Sequence, residues 1–248
     1  MGAEPQNWPH DSICLRPASL DARSLAAEID RRTCRVAFDV PGFCVVNAGR
    51  DIDSVAFRRL MVDLKQELAA IHESATGNTL AYRSVGRFDQ QETTSLHLDG
   101  GPDESLLMLG YEPSAVDSEL EIADYSRCAF DLGLSPAAFM SQYNPMFGSG
   151  DDVLRPYTTR VPCFSRADYR IVCINNSCAP YSGSRPAWQG VLHGATIPAP
   201  YASASRVVDS TMIAPVRAGT PDAVPAEALD EFVATPGVRQ ARYSGTEG

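Results

Sequence analysis

The sequence contains no uninterrupted apolar run long enough to cross a bilayer, although 44% of its 248 residues are hydrophobic. Its first nine residues include Glu4 but no Lys or Arg, so they lack the basic and apolar regions of a secretory signal. A near-average share of hydrophobic residues predicts a globular protein that buries one sizeable core. These features together predict a soluble protein, for which a cytoplasmic location is the default.

Positive charge is also scarce, because the sequence has 21 Lys and Arg residues but 31 Asp and Glu residues, which gives a net charge of −10. Binding to a phosphate backbone depends on clustered positive charge, so nucleic acid is not expected as a partner. The seven cysteines are an odd number and form no CxxC pair, so neither a disulfide framework nor a zinc–thiolate site is predicted. A small molecule, rather than nucleic acid or a membrane, is the expected binding partner.

Short strands separated by Pro, Gly and Ser clusters dominate the pattern, which predicts a mainly β fold with flanking helices. Their spacing favours a sandwich or barrel over alternating strands and helices. The clearest helix is predicted over residues 51–72, where apolar residues recur at steps of three to five. A single domain is expected over residues 1–248, with a core at about 35–215, a helical insertion at 118–143 and a tail at 216–248.

The pair His97 and Asp99 lies in a strand-like stretch that ends at Gly100. Residues two apart in a strand point the same way, about 7 Å apart at Cα, so both side chains project from one face and can bind one metal. His193 is the only histidine downstream of this pair, and it also lies in a strand-like run. Two histidines and one carboxylate on neighbouring strands form the facial triad of non-haem Fe(II) oxygenases.

Arg206 follows His193 by thirteen residues and begins the next predicted strand. With this arginine the sequence resembles the Fe(II)- and 2-oxoglutarate-dependent dioxygenase superfamily, whose pattern is His-x-Asp, a distal His and then an Arg or Lys. The resemblance implies a double-stranded β-helix, a cupin-like jelly roll. It also implies that the first three residues hold Fe(II), and that the arginine binds the distal carboxylate of 2-oxoglutarate, with O₂ as the other co-substrate.

The sequence departs from the family at Val208, because many members place a hydroxyl residue two positions after the arginine. The first hydroxyl on the same strand face is Ser210, which we expect to bind the co-substrate. Thr93 is also expected to bind the co-substrate, because strand alternation places it on the same face as His97. The expected contacts to the substrate come from Arg83 and Arg87, on a predicted strand before His97, and from Asn175, at the end of a predicted buried strand.

The resemblance implies an oxidoreductase that oxidises 2-oxoglutarate to succinate and CO₂ while it oxidises a C–H bond of a small molecule, such as an amino acid or a biosynthetic intermediate. Hydroxylation is the default outcome, and desaturation or ring closure uses the same site. Two alternatives remain open at this stage. One is an iron oxidase of the same fold that needs no 2-oxoglutarate, and the other is a jelly-roll binding module without catalysis.

Overall fold

The computed structural model describes residues 8–147, 150–161, 166–181 and 186–240. The helices are α1 (His10–Ile13), α2 (Ala22–Thr33), α3 (Ser54–Thr76), α4 (Tyr125–Asp131), α5 (Pro136–Tyr143), α6 (Asp151–Leu154) and α7 (Ala226–Ala234), with 3₁₀ turns at Pro145–Phe147 and Arg155–Tyr157. The strands are β1 (Cys14–Leu15), β2 (Phe43–Gly49), β3 (Asn78–Asp89), β4 (Thr94–His97), β5 (Leu106–Tyr111), β6 (Glu119–Ala123), β7 (Thr158–Arg160), β8 (Tyr169–Asn175), β9 (Leu192–Thr196), β10 (Val207–Arg217) and β11 (Arg239–Gln240).

The described strands form two sheets. The larger has the order β1-β2-β8-β5-β10-β3-β11, and the smaller has the order β4-β9-β6-β7. Pairing is antiparallel throughout except for the two-residue strands β1 and β11, which pair in parallel at the edges of the larger sheet. From β3 to β10 the chain passes between the two sheets at almost every step, so strands distant in sequence become neighbours.

Three helices, α2, α3 and α7, cover the outer face of the larger sheet and form the largest apolar cluster with it. The longest, α3, starts where Asp53 Oδ1 accepts a hydrogen bond from Ala56 N at 2.8 Å, and it ends at Gly77, whose φ of +75° is the left-handed conformation that favours glycine. A second apolar cluster fills the space between the sheets. This inter-sheet layer holds the candidate site.

A third cluster lies where α4 and α5 pack around Leu192 of β9. A buried ion pair joins this region to the rest of the protein, since Arg35 contacts Asp124, the residue that caps α4. The predicted fold class is confirmed at the level of a mixed, β-rich protein with two sheets and flanking helices. No helix of the described residues is both long and apolar enough to span a membrane.

The predicted helical insertion at 118–143 is wrong in its first part. Residues 119–123 form β6 of the smaller sheet, and helices begin only at Tyr125. The alternation of Glu119, Leu120, Glu121 and Ile122 has the period of a strand, with the two apolar side chains buried and the charges outside. The second part of the predicted insertion is helical, since α4 is followed by α5, which begins at Pro136 after the cap Ser135. The tail contains a short helix, α7.

The sequence predicts no disulfide framework, but one of the described cysteines does form a disulfide. Cys14 is disulfide-bonded. The other cysteines of the described residues are free, namely Cys34, Cys44, Cys128, Cys173 and Cys178. Cys44 and Cys173 are fully buried and face one another across β2 and β8, as expected of small core residues.

Candidate metal centre

Two histidines face each other across the antiparallel pair of β4 and β9. His97 is the register partner of His193, and their ring centroids lie 4.3 Å apart. Directly opposed residues are the closest side chains that two strands can offer. The sheet therefore brings together two histidines that are far apart in the sequence.

Asp99 completes the cluster from just beyond the end of β4. Its Oδ1 lies 3.4 Å from His97 Nε2, and one potential ligand atom of each of the three residues lies within 4.8 Å of the others. The backbone here is held by Asn176, whose Oδ1 accepts a hydrogen bond from Asp99 N and whose Nδ2 donates to Asp99 O, both at 2.9 Å. His97, Asp99 and His193 can therefore hold a metal ion.

A hydrogen bond to the backbone determines which nitrogen of His97 is available to such an ion. Its Nδ1 lies 2.8 Å from Ser95 O, so Nδ1 carries the proton and Nε2 is the basic nitrogen next to Asp99. Burial works to lower the pKa of His97, but the hydrogen bonds that the protonated ring makes with Asp99 and Ser95 outweigh it and leave the pKa above its usual value. Burial likewise works to raise the pKa of Asp99, and the hydrogen bond with His97 outweighs it and lowers that pKa.

His193 is buried more deeply and behaves differently. Burial, together with the neighbouring His97, lowers its pKa to about 4, so its imidazole is neutral at pH 7. Within the part of the chain that the structure describes, its Nδ1 is buried without a hydrogen-bond partner. A neutral imidazole with an unpaired buried nitrogen suits metal ligation, since a ligating histidine must be neutral.

The three residues open into a cavity of about 420 Å³ between the two sheets. Its described walls come from β3, β4, β5, β6, β9 and β10 and the residues that adjoin them. Besides the three candidate ligands, the lining consists of Ser84, Val85, Gly86, Phe88, Gln90, Thr94, Gly100, Leu107, Leu109, Tyr111, Leu120, Ala195, Arg206, Val208, Ser210 and Met212. Most of this lining is apolar, and the polar groups converge on a few positions, as in typical small-molecule sites.

Arg206 lies in this cavity and is 3% exposed. Its Nη1 donates to Gln90 O at 3.1 Å and to Gln90 Oε1 at 2.9 Å, and its guanidinium carbon lies 5.0 Å from the centre of the Tyr111 ring. The other terminal nitrogen, Nη2, is buried and has no hydrogen-bond partner among the described residues. A buried cationic donor without a partner is costly, and an anionic ligand would satisfy it.

Ser210 also lines the cavity, as the sequence predicts, but Thr93 does not. The pairing of β4 with β9 shifts by one residue between Thr94 and His97, which is a β-bulge. The bulge breaks the simple alternation, so Thr94 rather than Thr93 shares the cavity with His97. The Thr93 hydroxyl accepts a hydrogen bond from Ile197 N at 3.0 Å instead and ties the ends of the two strands together.

The three residues expected to contact the substrate all lie outside the described cavity lining. Arg83 is exposed. Arg87 is buried on the opposite face of β3, where Nη2 donates to Glu112 at 2.8 Å and Nε lies 3.2 Å from Asp209 Oδ1. Asn175 is also buried, and its Nδ2 donates to Thr33 O at the C-terminal end of α2. The last two side chains thus serve the packing of the outer face of the larger sheet.

Three residues of the site were not predicted from the sequence. Asn176 holds the backbone of Asp99, Gln90 holds Arg206, and Tyr111 covers the guanidinium. Tyr111 had a detectable signal, because alternation along β5 places it on the inner face together with Leu107 and Leu109. The other two had none, since their partners are distant in the sequence.

No model of a known protein family matches this chain, and no significant match is found among curated proteins. The site is therefore interpreted from its own geometry.

Proposed function

We propose that this protein is a non-haem Fe(II)- and 2-oxoglutarate-dependent oxygenase that acts on a small molecule. The observation that carries the proposal is one cavity that contains both a His-Asp-His cluster and a buried arginine, whose Nη2 no described residue pairs by a hydrogen bond. A metal held by three ligands keeps positions open for a chelating co-substrate and O₂. An arginine at a distance from the metal suits the distal carboxylate of a dicarboxylate.

The strand order supports a jelly roll. Four central strands of the larger sheet follow the order β8-β5-β10-β3, and the smaller sheet follows β4-β9-β6-β7. Eight antiparallel strands distributed in this way over two sheets are compatible with a double-sheet jelly roll, in which eight strands form two Greek keys. In this arrangement the candidate ligands come from the smaller sheet and its adjoining residues, and Arg206 adjoins the larger sheet. The two halves of the proposed site thus face each other across the cavity.

The donor set supports a divalent transition metal. Neighbouring ligand atoms of an ion bound at about 2.1 Å lie about 3 Å apart in octahedral geometry, and the 3.4 Å separation of His97 Nε2 and Asp99 Oδ1 is close to this value. Two imidazoles and one carboxylate also suit zinc. The buried Arg206 in the same cavity favours iron, because a chelating 2-oxo acid that such an arginine would anchor is oxidised by O₂ at a redox-active metal.

The co-substrate subsite is supported by Tyr111 and Ser210. Val208 stands where a second hydroxyl is common in the family, and Tyr111 brings a hydroxyl to the same cavity from β5. Its ring already contacts the Arg206 guanidinium, so one carboxylate can receive hydrogen bonds from both side chains. The acidic chain argues against a nucleic-acid substrate, which leaves a small molecule such as an amino acid or biosynthetic intermediate.

Bound iron would supply O₂ activation coupled to oxidation of 2-oxoglutarate to succinate and CO₂. The chain's own residues bind and orient the reactants. His193 stays neutral as a ligand, and Ser95 and Asn176 fix the positions of His97 and Asp99. Apolar walls limit water near the reacting C–H bond. Hydroxylation is the default outcome, and desaturation or ring closure requires no further group.

The test is anaerobic addition of Fe(II) and then 2-oxoglutarate to the purified protein, followed by visible spectroscopy for a metal-to-ligand charge-transfer band. The band should vanish in Asp99→Ala and weaken in Arg206→Ala. The matched controls are Asp39→Ala and Arg217→Ala, which change exposed residues and should give the same band as the wild type. Bound iron without a band would favour an oxidase that needs no 2-oxoglutarate. Absence of both iron and band would favour a non-catalytic module.

A further inference from the structure

Gln90 contacts both the backbone and the guanidinium group of Arg206. Its backbone N donates to Arg206 O at 3.0 Å, while its backbone O and side-chain Oε1 both accept from Arg206 Nη1. The amide is also oriented from its other side, because Gln90 Nε2 donates to Glu92 O at 2.6 Å. With Nε2 occupied in this way, the amide oxygen faces the guanidinium.

Two further contacts complete the immobilisation of Arg206. The Tyr111 ring covers the guanidinium, and Asp89 Oδ1 accepts a hydrogen bond from Arg206 N at 2.9 Å. An arginine side chain has many rotamers, so fixing it before a ligand arrives lowers the entropic cost of binding. Gln90 occupies Nη1, whereas Nη2 is buried and has no hydrogen-bond partner among the described residues, so Nη2 is open to a ligand.

We propose that Gln90 is a positioning residue that holds Arg206 with Nη2 directed at the distal carboxylate of the co-substrate, and thereby sets the preference for a dicarboxylic 2-oxo acid. This inference rests on the proposed function. A neutral amide suits the role, because it accepts a hydrogen bond from Arg206 without cancelling the positive charge. A carboxylate at position 90 would form an ion pair with Arg206 and compete with the co-substrate.

The experiment compares Gln90→Glu and Gln90→Leu with the wild type. Fe(II)-loaded protein is titrated anaerobically with 2-oxoglutarate and, separately, with 2-oxobutanoate, which has the same chelating end but no distal carboxylate. The matched control is Gln142→Glu, in which an exposed glutamine of α5 is replaced. Fe(II) affinity and thermal unfolding are measured for every variant.

We expect Gln90→Glu to weaken 2-oxoglutarate binding about tenfold or more, the effect of losing about one charge-assisted hydrogen bond. Gln90→Leu should weaken it less, because it removes an acceptor without adding a charge. Affinities for 2-oxobutanoate and Fe(II) should not change, and neither should any property of Gln142→Glu. A general structural effect would lower the affinity for both 2-oxo acids.

Equal affinity of the wild type and Gln90→Glu for 2-oxoglutarate would overturn the inference, as would a parallel loss for both 2-oxo acids. Either result would leave the proposed function in place, since the wild type would still bind 2-oxoglutarate at its metal. A wild type that binds Fe(II) but gives no band with either acid would instead overturn the proposed function itself.

Discussion

Replacement of Asp209 by Asn should stabilise the protein at neutral pH. This carboxyl group lies on the outer face of β10 and has no exposed surface. It is surrounded by charged groups from three other elements: Arg58 of α3, Arg87 of β3, and Glu112 after β5. Burial, aided by Glu112 and opposed by the two arginines, raises the pKa of Asp209 to about 8. The folded protein therefore holds this proton at neutral pH.

The direction of the effect follows from proton linkage. Unfolded Asp209 loses its proton near the ordinary value of 3.8, whereas the folded group keeps it up to about pH 8. Between these values the folded state binds one proton more, so this group lowers the free energy of unfolding as pH rises. The loss is about 1.4 kcal/mol for each pH unit, or about 3 kcal/mol between pH 5 and pH 7. Asn has a similar size and stays neutral, so Asp209→Asn should escape this loss.

The assay is urea denaturation of the wild type and Asp209→Asn at pH 5, 6 and 7, followed by circular dichroism. The difference in the free energy of unfolding between the two proteins should grow with pH, in favour of the variant. Comparing the two cancels the contributions of groups that titrate alike in both. A constant difference over this range would refute the reasoning, because it would mean that folded Asp209 is already ionised at pH 5.

Two further predictions concern the support of the site. Gly194→Ala should weaken Fe(II) binding about tenfold or more without removing a ligand, because the added Cβ would lie 2.9 Å from Thr94 O and push apart the two strands that carry the histidines. Isothermal titration with Fe(II) checks this, and unchanged affinity would contradict it. Asp124→Asn should lower the free energy of unfolding by about 3 kcal/mol, because Arg35 would be left as an uncompensated buried charge. Urea denaturation measures the loss, and a change below about 1 kcal/mol would contradict the prediction.

The sequence predicts regular elements well where their pattern is strong. The apolar stripe predicts a helix over residues 51–72, and the structure has α3 at Ser54–Thr76. It also predicts the candidate metal ligands, because His97 and Asp99 are close in the chain and His193 is the one later histidine. In each case the signal is local or rests on a scarce residue type.

Features that depend on strand pairing could not be predicted. The bulge in β4 places Thr94 instead of Thr93 at the cavity, and this bulge is defined only by the pairing of β4 with β9. The orientation of Arg87 away from the cavity follows from its pairing opposite Asp209 on β10. Asn176 reaches Asp99 across 77 residues of sequence. None of these contacts leaves a local pattern in the sequence, so they appear only when the sheets are assembled.

The division of the proposed site between the sheets leads to a last prediction. The candidate metal ligands adjoin β4 and β9 of the smaller sheet, while Arg206 and Tyr111 adjoin the larger one. A molecule that chelates the metal and reaches Arg206 would therefore connect the two sheets across the cavity. Without metal, 2-oxoglutarate would retain only its contacts to the larger sheet.

Binding of metal and 2-oxoglutarate should therefore be coupled. In anaerobic thermal unfolding, the rise in Tm caused by 2-oxoglutarate should be large in the presence of Fe(II) and small in its absence, because a ligand stabilises the fold according to its affinity for the folded state. Arg206→Ala should reduce the rise seen with Fe(II) and leave the effect of Fe(II) alone unchanged. An equal rise with and without metal would mean that the acid binds without chelation, and the two halves of the cavity would then act independently.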